Sequence, residues 1–229
     1  MKTLIVIPAY NEQDNIKRVV DNIIENYPQF DYVVVNDGSR DNTSAICHEN
    51  GYNIVDLPVN LGLAGAFQTG LKYAYKMGYD KAIQYDADGQ HLAEYIQTMA
   101  DCMDSEEMDI VIGSRFVTVE KPRTMRMLGS RVIALAIFLT TGKKLTDPTS
   151  GMRMFNKKMI KEFALDANYG PEPDTISYLM RNGAKVKEVQ VEMRERIAGE
   201  SYLNPVNRIK YMVKMGISIV LIQWFRRRK

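Results

Sequence analysis

Residues 4–35 read LIVIPAYNEQDNIKRVVDNIIENYPQFDYVVV. Leu4, Ile5, Val6 and Ile7 make an unbroken apolar run that stops at Pro8, a residue with no N–H to give to a strand ladder. Ile16, Val19, Val20, Ile23 and Ile24 then recur at helical spacing, and Tyr32, Val33, Val34 and Val35 form a second apolar run. Strand, helix, strand at this spacing is a βαβ unit, whose two strands are parallel. Strands that are apolar nearly throughout belong to sheets covered on both faces. The pattern continues with a short helix near 44–49, a strand at 53–57, a helix at about 64–76, a strand at 81–85 and another at 109–113. The expected architecture is an open, mostly parallel α/β sheet with helices on both faces. Such sheets bind ligands beyond the carboxyl ends of their strands.

The 229 residues, 45% apolar and 25% charged, suffice for one sizeable core in an ordinary globular chain. A formal net charge of +2 is too small to argue for nucleic acid as a partner. Cys47 and Cys102 lie far apart without zinc-binding or disulfide-framework spacing, which fits reduced thiols in a cytoplasmic protein. Residues 1–3 lead straight into the first strand, so secretion is not expected.

Three polar loops follow strands at the expected binding edge: Pro8-Ala9-Tyr10-Asn11-Glu12, Asn36-Asp37-Gly38-Ser39 and Asp86-Ala87-Asp88-Gly89-Gln90. Each has a plain structural reading. Asn11 suits a helix cap, Asp37-Gly38 is a common turn dipeptide, and either Asp86 or Asp88 would end a strand well. Three such loops at one edge point instead to a site. Asp86 and Asp88 stand one residue apart, and two such carboxylates raise each other's pKa unless positive charge lies between them. A divalent cation supplies that charge. Neither a G-x-G-x-x-G after the first strand nor a G-x-x-x-x-G-K-[ST] is present, which argues against a simple dehydrogenase or P-loop enzyme. The glycines of Asn60-Leu61-Gly62-Leu63-Ala64-Gly65-Ala66 suit either close approach to a ligand or tight helix packing.

These loops, with Asn60-Leu61-Gly62, His91 after Gln90, Gly113-Ser114-Arg115, Thr146-Asp147-Pro148-Thr149-Ser150-Gly151-Met152-Arg153 and Arg194-Glu195-Arg196-Ile197-Ala198-Gly199-Glu200-Ser201, resemble family 2 glycosyltransferases of the GT-A fold. Within that family the chain is similar to the dolichyl-phosphate mannose synthase branch over residues 1–205, with Met152 where an aromatic residue is usual. The resemblance implies an inverting, metal-dependent transferase that takes a sugar from a nucleotide-diphosphate sugar. It implies Mg²⁺ or Mn²⁺, hard cations suited to oxygen ligands, held by Asp88 and Gln90. Asp86 then faces the ribose or the metal's waters, and Pro8, Ala9, Tyr10, Glu12 and Asp37 line the nucleoside pocket, with Gly65 and Ala87 also on the donor side. His91 is either a third ligand or a helix-start residue facing solvent or a neighbouring carboxylate. Arg115, at a strand end, either clamps a donor phosphate or forms an ion pair with a site aspartate.

By the same resemblance, Asp147 falls on the acceptor side. It acts as a base if the acceptor is a neutral hydroxyl and as a positioning group if the acceptor is a lipid phosphate, whose oxygen is already ionised. Arg131, Arg196 and Ser201 are candidates for the acceptor site, although Arg131 lies in the apolar stretch 127–139 and has snorkelling as its other role.

Val206, Ile209, Val213, Ile217, Val220 and Trp224 fall at helical spacing, and residues 215–225 are almost uniformly apolar before Arg226-Arg227-Arg228-Lys229. That run is too short to span a bilayer, which takes about 20 residues. It suits an interfacial helix with Trp224 and the basic end at lipid headgroups, or else a helix docked on the catalytic domain or paired in a homo-oligomer. The apolar stretch 132–139 would join the same patch. The expected division is a catalytic domain, 1–205, and an apolar C-terminal helix with a basic tail, 206–229. Transfer to a polyprenyl phosphate, by a protein peripheral at the cytoplasmic face of the membrane, is the leading expectation. Transfer to a saccharide hydroxyl in surface polysaccharide synthesis is the alternative. A non-catalytic nucleotide-sugar-binding module would be marked by loss of Asp88, Gln90 or Asp147, and all three are present.

Overall fold

The computed structural model describes residues 1–165, 170, 172–194 and 205–222. In chain order the elements are β1 (Thr3–Ala9), α1 (Ile16–Asn26), β2 (Asp31–Asn36), α2 (Thr43–Glu49), β3 (Ile54–Asp56), α3 (Gly62–Met77), β4 (Lys81–Gln84), α4 (Tyr95–Ser105) and β5 (Ile110–Ser114). They continue with α5 (Met125–Thr141), β6 (Arg153–Asn156), α6 (Lys157–Leu165), α7 (Pro173–Arg181), β7 (Val186–Gln190) and α8 (Pro205–Ile217), which runs into a π-helical turn, Ser218–Ile222.

One seven-stranded sheet has the order β3-β2-β1-β4-β6-β5-β7. Every neighbouring pair is parallel except those made by β6, which runs antiparallel to β4 and β5. Ile83 pairs with Met154 and Ile112 with Arg153. Because β6 runs backwards, its beginning lies at the edge where β4 and β5 end. The loop 146–152 is thereby delivered to the binding edge of the sheet.

All seven residues of β1 are buried, as a strand covered on both faces requires. The pleat sends Leu4 and Val6 to one face, with Phe67 and Leu71 of α3 and Phe163 of α6. Ile5 and Ile7 go to the other, with Val19, Val20 and Ile23 of α1 and Ile96 and Met99 of α4. Phe155 meets Phe163 edge-on at a centroid distance of 5.1 Å and Phe67 at 5.7 Å. The helix α3 lies so close to β1 that a Cβ on Gly70 would fall 2.1 Å from Val6 Cγ1. Gly70→Ala is therefore expected to destabilise the fold by about 1–3 kcal/mol through overpacking, read as a lower urea midpoint at unchanged m-value.

Helix α8 is seated on this body. Met215 and Ile219 are buried in the same core as α3 and α6. A Cβ on Gly129 of α5 would lie 1.4 Å from Met212 Sδ, so the two helices cross in close contact there.

Candidate functional site

The ends of β1 and β2 are laced together. Asp37 N donates to Ala9 O at 2.8 Å, Asn11 N to Ser39 Oγ at 3.0 Å, Arg40 N to Asn11 Oδ1 at 2.9 Å and Glu12 N to Thr43 Oγ1 at 2.8 Å. Asn11 takes a φ of +55°, a left-handed conformation that asparagine tolerates better than most residues. It caps no helix; Asn15 occupies the N-cap of α1. Asp37 is buried, and its Oδ1 accepts from Leu61 N at 2.7 Å, which ties the β3–α3 loop to the end of β2. Pro8 and Ala9 sit inside β1, Tyr10 and Glu12 stand half-buried beyond it, and Glu12 Oε2 accepts from Asn15 Nδ2 at 2.8 Å. Gly65 faces its own loop, where a Cβ would meet Leu61 Cβ at 2.5 Å, and the Ala87 side chain turns into the core.

Beyond β4, Gln84 Nε2 donates to Asp86 Oδ1 at 3.0 Å. Asp86 N donates to His91 Nδ1 at 3.0 Å, which leaves the proton of a neutral ring on Nε2, 3.7 Å from Asp86 Oδ2. Tyr85 Oη donates to His91 O at 2.6 Å, and burial pushes the Tyr85 phenol well above its ordinary pKa, so it remains a donor. His91 thus faces a neighbouring carboxylate, one of the roles open to it. Asp88 is buried and its Oδ1 accepts from Gln90 N at 3.0 Å across Gly89, which has a φ of +75°. A Cβ on Gly89 would lie 2.7 Å from Arg18 Nη2, and one on Gly151 would lie 2.8 Å from Asp86 Oδ2. The loop ahead of β6 thus presses directly against the acidic loop, with glycine where no side chain fits. The segment after β7 returns here too, as Arg194 N donates to Gln90 O at 2.9 Å.

Asp86, Asp88 and the Gln90 amide present oxygen donors of the kind Mg²⁺ and Mn²⁺ take. Among the described residues no group of three His, Cys, Asp or Glu is arranged to hold a metal ion.

Asp147 is fully buried, and both of its oxygens are taken by Arg115, Nε to Oδ2 at 2.7 Å and Nη2 to Oδ1 at 3.0 Å. This is an ion pair with a site aspartate, one of the two roles open to Arg115. The loop that carries Asp147 is held at three points. Glu188 of β7 accepts from Thr146 N and Asp147 N, both at 2.6 Å; Ser150 Oγ donates to Gly113 O at 2.5 Å; and Arg153 Nη2 donates to Pro148 O at 2.8 Å.

Lys121 Nζ reaches into the same region, donating to Ser130 Oγ at 2.7 Å and Thr146 O at 2.9 Å. Burial pushes its ammonium below the ordinary lysine range, with the nearby Asp147 charge opposing. Arg131 Nη2 donates to Lys121 O at 2.7 Å, so it props the lysine segment. Arg196 and Ser201 lie outside the described residues.

Glu188, Lys121, Ser130 and Arg153 were not among the residues expected from the sequence. Arg153 ends a motif that drew attention for its aspartate. Glu188 sits in Val-Lys-Glu-Val-Gln, which alternates like a solvated edge strand and carries no signal of a loop anchor.

Residues 4–163 match the family model named Glycosyl transferase family 2. The polyprenol monophosphomannose synthase of Mycolicibacterium smegmatis is 29% identical over 94% of this chain and 86% of its own length. The UDP-N-acetylglucosamine–dolichyl-phosphate N-acetylglucosaminyltransferase of Methanococcus voltae is 33% identical over 69% of this chain and 70% of its own. In shape the chain is similar to glucosyl-3-phosphoglycerate synthase from Mycobacterium tuberculosis, solved with Mn²⁺, uridine diphosphate and phosphoglyceric acid. The TM-score is 0.71 at 16% identity, over 100% of this chain and 80% of the other.

Proposed function

The chain belongs to glycosyl transferase family 2, and from that premise we propose an inverting, metal-dependent transferase that moves a sugar from a nucleotide-diphosphate sugar to a polyprenyl phosphate. The observation that carries this reading is the contact between the 86–91 loop and the 146–152 loop, since it sets an oxygen-rich donor edge against a buried Asp147–Arg115 pair. The laced loops at 9–12 and 36–40 offer backbone groups and Asp37 to a nucleoside. A divalent cation held by Asp88 and Gln90, with Asp86 beside them, would stabilise the negative charge that develops on the leaving diphosphate.

On the acceptor side, Lys121 reaches Ser130, Arg131 holds the Lys121 carbonyl, and Arg115 shares the Phe116 ring with Lys121. A phosphate acceptor is already ionised and asks for cations rather than a strong base. Asp147, with both oxygens on Arg115, suits a positioning role better than proton abstraction from a sugar hydroxyl. The names of the relatives from M. smegmatis and M. voltae support the same acceptor class. In the test, labelled UDP- and GDP-sugars are incubated with Mn²⁺ and a short-chain polyprenyl phosphate. Label extracted with the lipid supports the proposal, and label carried only by a saccharide acceptor would favour the polysaccharide alternative.

The acceptor also bears on location. Leu128, Val132, Leu135 and Leu139 form an exposed apolar stripe on α5, and Val213, Ile217, Val220 and Leu221 form another on α8 and its final turn. The two helices pack side by side. Among the described residues no helix is long and apolar enough to cross a membrane. We infer a surface that lies on lipid at the cytoplasmic face, assisted by the basic residues 226–229, which lie outside the described residues along with Trp224. Each basic residue near an anionic surface contributes on the order of 1 kcal/mol. The protein is expected to co-sediment with anionic liposomes, less so at high salt, and the double substitution Val220→Asp, Leu221→Asp at exposed positions to release it. Full-length protein left in the supernatant at low salt would count against a lipid surface and for a helix paired in a homo-oligomer.

A further inference from the structure

Arg153 is 4% exposed, yet its guanidinium is poorly matched. Nη2 donates to Pro148 O, Nε is buried with no hydrogen-bond partner, and no ion pair is made among the described residues. Burying a cation this way is costly, so the neighbours that set its position matter. Burial pushes the guanidinium below its ordinary value, and the carboxylate that offsets this most is Glu172, with Asp147 and Asp86 after it.

Glu172 nevertheless does not pair with Arg153. It stands at the N-cap of α7, where Oε2 accepts a hydrogen bond from Tyr211 Oη of α8. Burial keeps the Tyr211 phenol protonated by pushing its pKa up, so it remains a donor. A second bond, Ser218 Oγ to Asp174 Oδ2 at 2.6 Å, fastens the end of the same helix to α7. The C-terminal helix therefore bonds, through Tyr211, the carboxylate that acts most on the buried guanidinium anchoring the Pro148 carbonyl. That carbonyl adjoins Asp147, whose amide is held from the other side by Glu188.

We propose that Arg153 is a positioning residue for the Asp147 loop, and that the Tyr211–Glu172 bond makes its hold depend on seating of α8. With α8 seated, Glu172 is occupied and Arg153 stays on Pro148 O. With α8 lifted, Glu172 is released to pair with Arg153, which withdraws from the carbonyl and leaves the 147–151 loop loose beside Asp86. The apolar stripes of α5 and α8 would thus report contact with lipid to the acceptor side of the site. This regulation rests on the transferase reading above.

The test uses the full-length chain and four variants, Tyr211→Phe, Glu172→Gln, the double variant, and Arg153→Lys. Three quantities are read: kcat and donor KM for transfer to a short-chain polyprenyl phosphate, UDP or GDP affinity by calorimetry with Mn²⁺, and hydrogen exchange of the amides at 147–151. Tyr211→Phe is expected to lower kcat roughly tenfold, to leave donor KM and nucleotide affinity within about twofold, and to speed exchange at 147–151. Adding Glu172→Gln should restore both kcat and protection, because a neutral amide has little pull on Arg153. Arg153→Lys, which keeps the charge and loses the planar fork, should lower kcat and protection whatever stands at position 211. Wild-type kcat and exchange in Tyr211→Phe would overturn the proposal, as would a double variant no better than Tyr211→Phe alone. Should the wild-type chain transfer sugar to no lipid phosphate, the transferase reading fails, and exchange at 147–151 across the same variants still decides the latch.

Discussion

Asp88→Asn is expected to lower transfer by roughly 10²- to 10³-fold, the scale seen when one group aimed at developing charge is removed. Asp88 is buried at the end of the β4 loop and its Oδ1 shapes that loop by accepting from Gln90 N. Asparagine keeps an oxygen for this bond, so the local turn should survive. What it loses is the negative charge that would draw a divalent cation beside Asp86. Metal-dependent nucleotide binding should weaken in parallel, which calorimetry with and without Mn²⁺ would show as a shrinking difference between the two titrations. Wild-type turnover by Asp88→Asn in the absence of any divalent ion would refute the metal role.

The second large effect concerns Asp147. Asp147→Asn breaks a bidentate pair with Arg115 and leaves a guanidinium facing an amide. Removing one partner of a buried pair is strongly destabilising in general, but Arg115 keeps 22% of its side chain accessible, so solvent can hydrate the guanidinium. The fold should therefore hold, supported by the Glu188, Ser150 and Arg153 anchors on the same loop. Turnover is expected to fall about 10²-fold while UDP or GDP affinity stays within a few-fold, the pattern of an interaction made mainly in the transition state. Loss of nucleotide affinity in equal measure would move Asp147 into the donor pocket.

Much of the donor edge was legible along the chain. The apolar runs of β1 and β2 with the helical spacing between them dictate a parallel pair, and parallel pairing brings the loops after β1, β2 and β4 to one edge. The β6 strand was not legible. Arg-Met-Phe-Asn is four residues long with no alternation to mark it, and nothing local says that it runs against its neighbours. The roles of the charged residues were also open in the sequence. Arg115 suited a phosphate or an aspartate, and His91 a ligand position or a supporting one.

By itself, the sequence determined which residue types stand at which strand ends, because apolar periodicity and turn chemistry are properties of a few consecutive residues. It thereby determined the α/β class, the three polar loops, the acidic pair at Asp86 and Asp88, and the apolar stretch of the last helix. Only the tertiary structure decided the partners. Arg115 and Asp147 meet across 32 residues, Glu188 and Asp147 across 41, and Tyr211 and Glu172 across 39. Those meetings follow from strand order, from the reversed direction of β6 and from the seating of α8 on α5 and α7, and each is set by burial summed over the whole chain rather than by any short stretch of it.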